Sequence, residues 1–131
     1  MKVVLLIFIV CSLYEFVLGA INMETYRSKQ QECFKELKIP QAEAEHVSKD
    51  KLVSVPSEPF KCFHNCLYTK LGLFAKDKIN VAAVIPFAHM RFSKVPVDAI
   101  KKKLKICNET SPITCEVVFD YETCLGISLH K

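Results

Sequence analysis

Beyond its first twenty residues the chain has no apolar run long enough to cross a bilayer, so no membrane span is expected in the mature protein. It lacks a G-x-S-x-G elbow, an H-E-x-x-H pair and a Cys-Cys-x-x-His-Asp set, and none of its histidines joins a serine and an acid in a triad-like pattern. No enzymatic activity and no cofactor are therefore expected. Paired C-x-x-C spacing is absent as well, which argues against a zinc site built with His46 or His64. Period-2 alternation of useful length is missing, so strands are not expected to organise the fold. Neither an internal repeat nor a low-complexity segment is visible. The one dense basic run, Lys101, Lys102, Lys103 and Lys105, has no interleaved aromatics, which excludes a nucleic-acid platform and leaves a solvated helix face.

What is present begins with a secretory signal. Met1-Lys2 is a short basic start, and the apolar run from Val3 to Leu13 is about half the roughly 20 residues a span requires. Val17-Leu18-Gly19 and Leu18-Gly19-Ala20 each offer a small residue for cleavage, so residues 1–19 or 1–20 read as the signal and residues 20–131 as one secreted domain. Lys2, Glu15 and Cys11 leave with it. The net charge stays at +4 (17 basic minus 13 acidic), and six of the seven cysteines remain. An even number in a small secreted chain points to three disulfides.

The helices read from apolar spacing. Met23, Tyr26, Gln30, Cys33 and Leu37 share a face of a first helix over residues 23–38, with Phe34 beside them, and Ile39-Pro40 ends it. A short helical segment over residues 41–47 and a polar linker over residues 48–56 follow. A central helix, with Ser57 as N-cap and Pro59 in its first turn, runs to Leu71 and stops near Gly72. Lys76-Asp77-Lys78 is a turn. The run from Ile79 to Ile85 is short and closed by Pro86, and the apolar segment after it, with Phe87, Met90 and Phe92, shows no clear period. Pro96 opens a helix lined by Val97, Ile100, Leu104 and Cys107. Ser111-Pro112 caps the last helix, which carries Cys115, Val117, Val118, Phe119, Tyr121 and Cys124 until Gly126 breaks it. The class is all-α.

Cys62-Phe63-His64-Asn65-Cys66 is the centre of this plan. Two helical residues four apart keep their Cβ atoms about 5–6 Å apart, too far for a disulfide, so each of these cysteines must reach another segment. Cys115 and Cys124 are half a turn out of phase and roughly 13 Å apart along a helix, so they cannot meet either. Of fifteen pairings these two exclusions remove five and leave ten open.

The cysteine spacing, one cysteine, 28 residues, C-x3-C, 40 residues, then three cysteines separated by 7 and 8, resembles the six-cysteine insect odorant-binding proteins, the pheromone-binding and general-odorant-binding family. Lys70-Leu71-Gly72-Leu73, Lys78-Ile79-Asn80-Val81 and Ile39-Pro40 add to the likeness, which covers the whole mature chain. The resemblance implies a compact bundle of about six helices with interlocked disulfides Cys33–Cys66, Cys62–Cys115 and Cys107–Cys124. It also implies an internal apolar cavity carrying a small hydrophobic ligand, an odorant, pheromone or similar semiochemical, through aqueous lymph to an olfactory receptor. Members are often acidic while this chain is basic. The seven residues after Cys124 are too few for the extra helix of long-tailed members and suit a flap at most.

For such a cavity the candidate wall is Phe60, Phe63, Leu67, Val81, Val84, Ile85, Phe87, Met90, Phe92, Ile100, Leu104, Val117, Val118 and Tyr121, with Tyr26, Tyr68, His89 or Tyr121 as polar anchors. His64 and His89 suggest acid-triggered release, although His64 and Asn65 also read as solvent-side neighbours of the two cysteines. Asn108-Glu109-Thr110 is an N-glycosylation sequon. The competing expectations are a same-fold carrier in saliva, venom, seminal fluid or haemolymph, and a disulfide-rich interaction module with a solid core. A homodimer is compatible with each.

Overall fold

The computed structural model describes residues 21–107 and 112–129; the expected signal over residues 1–20 and the sequon at Asn108 lie outside them. Among the described residues six α-helices form one bundle: α1 (Met23–Glu36), α2 (Gln41–Ser48), α3 (Phe63–Leu71), α4 (Val81–Arg91), α5 (Val97–Ile106) and α6 (Cys115–Leu129). Helix α3 is central, packing on α1 at one side and α6 at the other, while α5 joins α4 to α6. None of these helices is long and apolar enough to cross a membrane.

Helix α1 starts where the Asn22 side chain accepts the Thr25 amide at 2.7 Å, and it buries Tyr26, Gln30, Cys33 and Phe34. That is the face expected from the spacing, except that Met23 lies on the exposed side. The central segment differs from a single helix. Pro59–Cys62 forms a 3₁₀ turn, and α-helical geometry begins only at Phe63. Proline fixes the turn's first residue, and the short 3₁₀ stretch leads into the α-helix.

At its far end, α3 closes on Gly72 in the left-handed region (φ 69°), with the Gly72 amide on the Thr69 carbonyl and the Leu73 amide on the Tyr68 carbonyl. This paired closure needs a residue without a Cβ penalty, and it turns Leu73 fully into the core. A minimal antiparallel hairpin follows, Phe74–Ala75 (β1) against Lys78–Ile79 (β2), around the expected Lys76-Asp77 turn. Two residue pairs do not alter the all-α class.

Two helix ends correct the sequence reading. Helix α4 runs through Pro86 to Arg91 instead of closing at the proline. Proline is tolerated here because its side faces solvent, while Val84, Phe87 and Ala88 form a buried i, i+3, i+4 stripe that holds the helix onto the core. Helix α6 likewise continues through Gly126 to Leu129. One glycine costs about 1 kcal/mol relative to alanine, less than the burial of Val118, Tyr121 and Leu125 on the same helix. The residues after Cys124 are thus mostly helix, not a flap. At the other end α6 begins at Cys115, not after Ser111-Pro112, and the Thr114 hydroxyl accepts the Val117 amide at 3.1 Å as its cap.

Three disulfides cross-link the bundle. Cys33–Cys66 ties α1 to α3, Cys62–Cys115 ties the 3₁₀ turn to the start of α6, and Cys107–Cys124 ties the end of α5 to α6. These are the pairs the resemblance implies. Each cysteine of Cys62-x3-Cys66 reaches a different helix.

Candidate functional site

The interior is filled by rings where an open cavity was expected. Phe63 stacks on Phe34 and on Phe60 at centroid distances of 5.0 and 5.3 Å, and Tyr26 meets Phe87 edge-on at 5.3 Å. Within the candidate wall, Phe60, Phe63, Leu67, Val84, Phe87, Ile100, Leu104, Val118 and Tyr121 are buried, and Ile85, Met90, Phe92 and Val117 are half-buried. Val81 does not belong with them. It is 44% exposed, because it stands at the first position of α4, one turn ahead of the buried 84/87/88 stripe.

Among the described residues one cleft, of about 40 Å³, is lined by Tyr26, Phe60, His64, Arg91, Phe119, Glu122 and Thr123, with Val47 and residues 50–53 over it. That is room for a few waters, well below the roughly 300 Å³ or more of an open ligand pocket. Only Phe60 of the expected wall and Tyr26 of the expected anchors line it. His89 lies elsewhere, half-buried near the end of α4.

The lining is also more polar than expected. Arg91 of α4 and Glu122 of α6 form an ion pair with side-chain exposures of 13% and 5%, Arg91 Nη1 donating to Glu122 Oε1. The Tyr68 hydroxyl donates to Glu122 Oε2 at 2.5 Å, so both carboxylate oxygens are engaged. Rings of Tyr26, Phe87 and Phe92 lie 5.4, 5.2 and 5.1 Å from the guanidinium and enclose it. Burial alone would push the Glu122 carboxyl up. The Arg91 charge, the nearby His64 and hydrogen bonds from Tyr68 and Arg91 together bring it below the usual carboxylate range. Burial and the adjoining Glu122 charge keep the Tyr68 phenol protonated well above its ordinary range.

His64 is a correction of a different kind. Its imidazole is not a solvent-side neighbour: it packs against Phe60, Phe63 and Phe119 at 5.6, 5.2 and 6.0 Å, and its Nδ1 is sealed from water. Asn65 is also half-buried, its amide 3.6 Å from Cys115 Sγ. Burial lowers the His64 pKa from 6.5 to about 4, with Glu122 opposing and Arg91 adding to the shift.

A base whose folded pKa is depressed leaves the unfolded chain with more bound protons between the two values. Stability is then full above the unfolded pKa and falls as pH drops from about 6.5 towards 4. Urea unfolding at pH 7 and 4.5 is expected to show a loss of about 2 kcal/mol from this residue. His64→Phe removes that slope, and an equal slope in the variant would refute the assignment. Glu122, depressed as a carboxylate, adds its own loss only at lower pH, as it becomes protonated.

Over the cleft lies a strap, residues 49–58, between α2 and the 3₁₀ turn. Arg27 Nη2 donates to both Asp50 oxygens at 3.2 Å at one end, and the Ser57 amide donates to Glu43 Oε2 at 2.9 Å at the other. Between these ends Leu52 and Val55 are 40% and 85% exposed, although Leu52 and Val53 also reach the cleft.

Arg91, Glu122, Phe119 and the buried role of His64 were missed in the sequence. Arg91 and Glu122 are 31 residues apart on separate helices, and helical spacing treats such charges as solvated. A weak signal existed: Glu122 follows Tyr121 directly and precedes Leu125 by three, next to the buried stripe of α6.

No curated protein sequence matches this chain. Among solved structures, Odorant Binding Protein 4 of the predator Chrysopa pallens superimposes with a TM-score of 0.56 at 17% identity, over 80% of this chain and 87% of that one. At that identity the likeness establishes the fold. The sequence model of the PBP/GOBP family matches residues 19–126, nearly the whole bundle. This chain therefore belongs to the PBP/GOBP family of pheromone-binding and general-odorant-binding proteins.

Proposed function

We propose that the protein is a secreted carrier of small hydrophobic ligands, odorants or pheromones, taken up between α1, α3 and α6 and moved through aqueous extracellular fluid. The supporting observation is the cleft itself: aromatic sides from Tyr26, Phe60 and Phe119, a charge-neutral floor at Arg91–Glu122, and a strap attached at its two ends. A ligand larger than a few waters needs Leu52 and Val53 to move outward. The strap permits this because it carries no helix or strand hydrogen-bond ladder of its own. The ring-filled interior and 40 Å³ cleft favour one other reading, a solid-core interaction module on the same fold.

One titration separates the two. N-phenyl-1-naphthylamine added to the purified protein at pH 7 is expected to brighten and shift to the blue with one-to-one saturation, and to be displaced by apolar competitors. No fluorescence change would leave the solid-core module standing. Transport to an olfactory receptor, as opposed to a role in saliva, venom, seminal fluid or haemolymph, is tested by where the transcript is made.

A further inference from the structure

Of the three disulfides, two have a sealed end. Cys33 is fully buried and Cys107 nearly so, although their partners Cys66 and Cys124 are half-buried. Cys62–Cys115 differs. Both of its cysteines are half-buried, and both line an open groove of about 390 Å³ between the 3₁₀ turn and the start of α6.

Thiol–disulfide exchange needs one sulfur that can be reached and another that can leave as a thiolate. The two requirements conflict at the sealed bonds. An attack on Cys66 meets the Glu36 carboxylate, whose Oε2 lies 3.8 Å from Cys66 Sγ, and it expels Cys33 as a thiolate in the buried core. An attack on Cys124 expels Cys107, which is buried and stands at the C-terminal end of α5, where the helix dipole disfavours an anion. At the third bond the charges run the other way. Cys115 is the first residue of α6 and Cys62 the N-cap of α3, so each belongs to the positive end of a helix. The Asn65 side-chain amide also donates to Cys115 Sγ at 3.6 Å, which makes Cys115 the better leaving group. The groove adds a choice of thiol. Glu58, Glu116 and Asp120 outnumber Lys61 in its lining, so it repels anionic thiols and attracts cationic ones.

We propose that Cys62–Cys115 is a thiol-exchange site for small cationic aminothiols. The incoming thiolate bonds to Cys62 Sγ, the Cys62–Cys115 bond breaks, and its electron pair leaves on Cys115. Water carries the proton lost by the incoming thiol to Cys115. The product is a mixed disulfide on Cys62, with the incoming sulfur oxidised and Cys115 reduced, so no other oxidant or reductant enters. The site stands whether or not the protein carries a ligand.

The test treats the mature, fully oxidised protein briefly with cysteamine at pH 7, quenches with iodoacetamide, and maps the cysteines by tandem mass spectrometry without reduction. Cys62–Cys115 is expected to open about tenfold faster than either other bond, with cysteamine on Cys62 and the alkyl group on Cys115. Earlier opening of Cys33–Cys66 or Cys107–Cys124, or opening of all three together, overturns the site. So does resistance of Cys62–Cys115 until denaturant is added. Asn65→Ala should spread the adduct over both cysteines, and a wild-type adduct already divided between them overturns the assigned direction; should the variant fail to fold, the wild-type adduct decides. The rate ratio of cysteamine to 2-mercaptoethanesulfonate at low salt should drop about threefold when Glu116→Gln and Asp120→Asn are combined. An unchanged ratio overturns the preference for cations.

Discussion

Glu122→Ala is expected to lower the free energy of unfolding by about 3–5 kcal/mol, the usual cost of removing one partner of a buried ion pair. The side chain is 5% exposed and serves two donors, Arg91 Nη1 and the Tyr68 hydroxyl. Its loss leaves a guanidinium enclosed by Tyr26, Phe87 and Phe92 without a counter-charge, and a buried phenol without its acceptor. For a domain whose total stability is about 5–15 kcal/mol, that is about a fifth of the margin at the least and all of it at the most. Two further variants test the cause. Glu122→Gln should lose less, because an amide oxygen can still accept from Tyr68. The double variant Arg91→Met with Glu122→Leu should recover much of the loss, since apolar replacements of both partners leave no uncompensated charge. Urea unfolding gives all three values, and a loss below about 1 kcal/mol in the alanine variant would show that Arg91 finds water or another acceptor.

Removing the Cys62–Cys115 disulfide by paired serine substitution should cost about 4 kcal/mol, and removing Cys107–Cys124 about 3 kcal/mol. The ranking follows from loop length, because the first bond closes a separation of 53 residues and the second one of 17. A longer loop takes more freedom from the unfolded chain. The difference is small, and the location matters more. Cys62 ends the turn that carries Phe60, and Cys115 begins the helix that carries Phe119 and Glu122, so this bond joins two sides of the cleft. Its loss should therefore weaken probe binding as well as stability. Cys124 follows the lining residues Glu122 and Thr123, but its partner Cys107 ends α5, which adds no residue to the lining. Loss of Cys107–Cys124 should therefore lower the unfolding midpoint with a smaller change in affinity for folded protein. The opposite pattern would place the ligand away from the cleft.

The parts legible in the sequence are those that local chemistry imposes. Tyr26, Gln30, Cys33 and Phe34 mark the buried face of α1 because residues three and four apart share a side of any α-helix, and the structure buries all four. Gly72 ends α3 because a left-handed closing residue favours glycine. The separate fates of Cys62 and Cys66 follow from reach alone, whereas the full pairing came from resemblance and was not derivable from spacing. Pro86 and Gly126 were misread for one reason. Both are judged as helix breakers by local preference, and packing of Val84, Phe87 and Ala88, or of Val118, Tyr121 and Leu125, outweighs a penalty of order 1–3 kcal/mol.

The cleft belongs to a different level. Its candidate wall was chosen from apolar residues, yet the lining joins Tyr26 of α1, His64 of α3, Arg91 of α4 and Glu122 of α6, each from a different helix. Helical periodicity ranks charged residues as solvent-facing, and it has no way to register two opposite charges that neutralise each other inside. The helical class, the faces of single helices, the turn at Gly72 and the separate ties of Cys62 and Cys66 are readable along the chain. Where the helices cross is not, and with it goes the pairing of Arg91 and Glu122 in the interior beside a His64 whose Nδ1 is closed to water. The physical reason is that helix faces are set by neighbours three and four residues away, while a buried ion pair exists only once distant helices bring its two halves within contact and exclude water together.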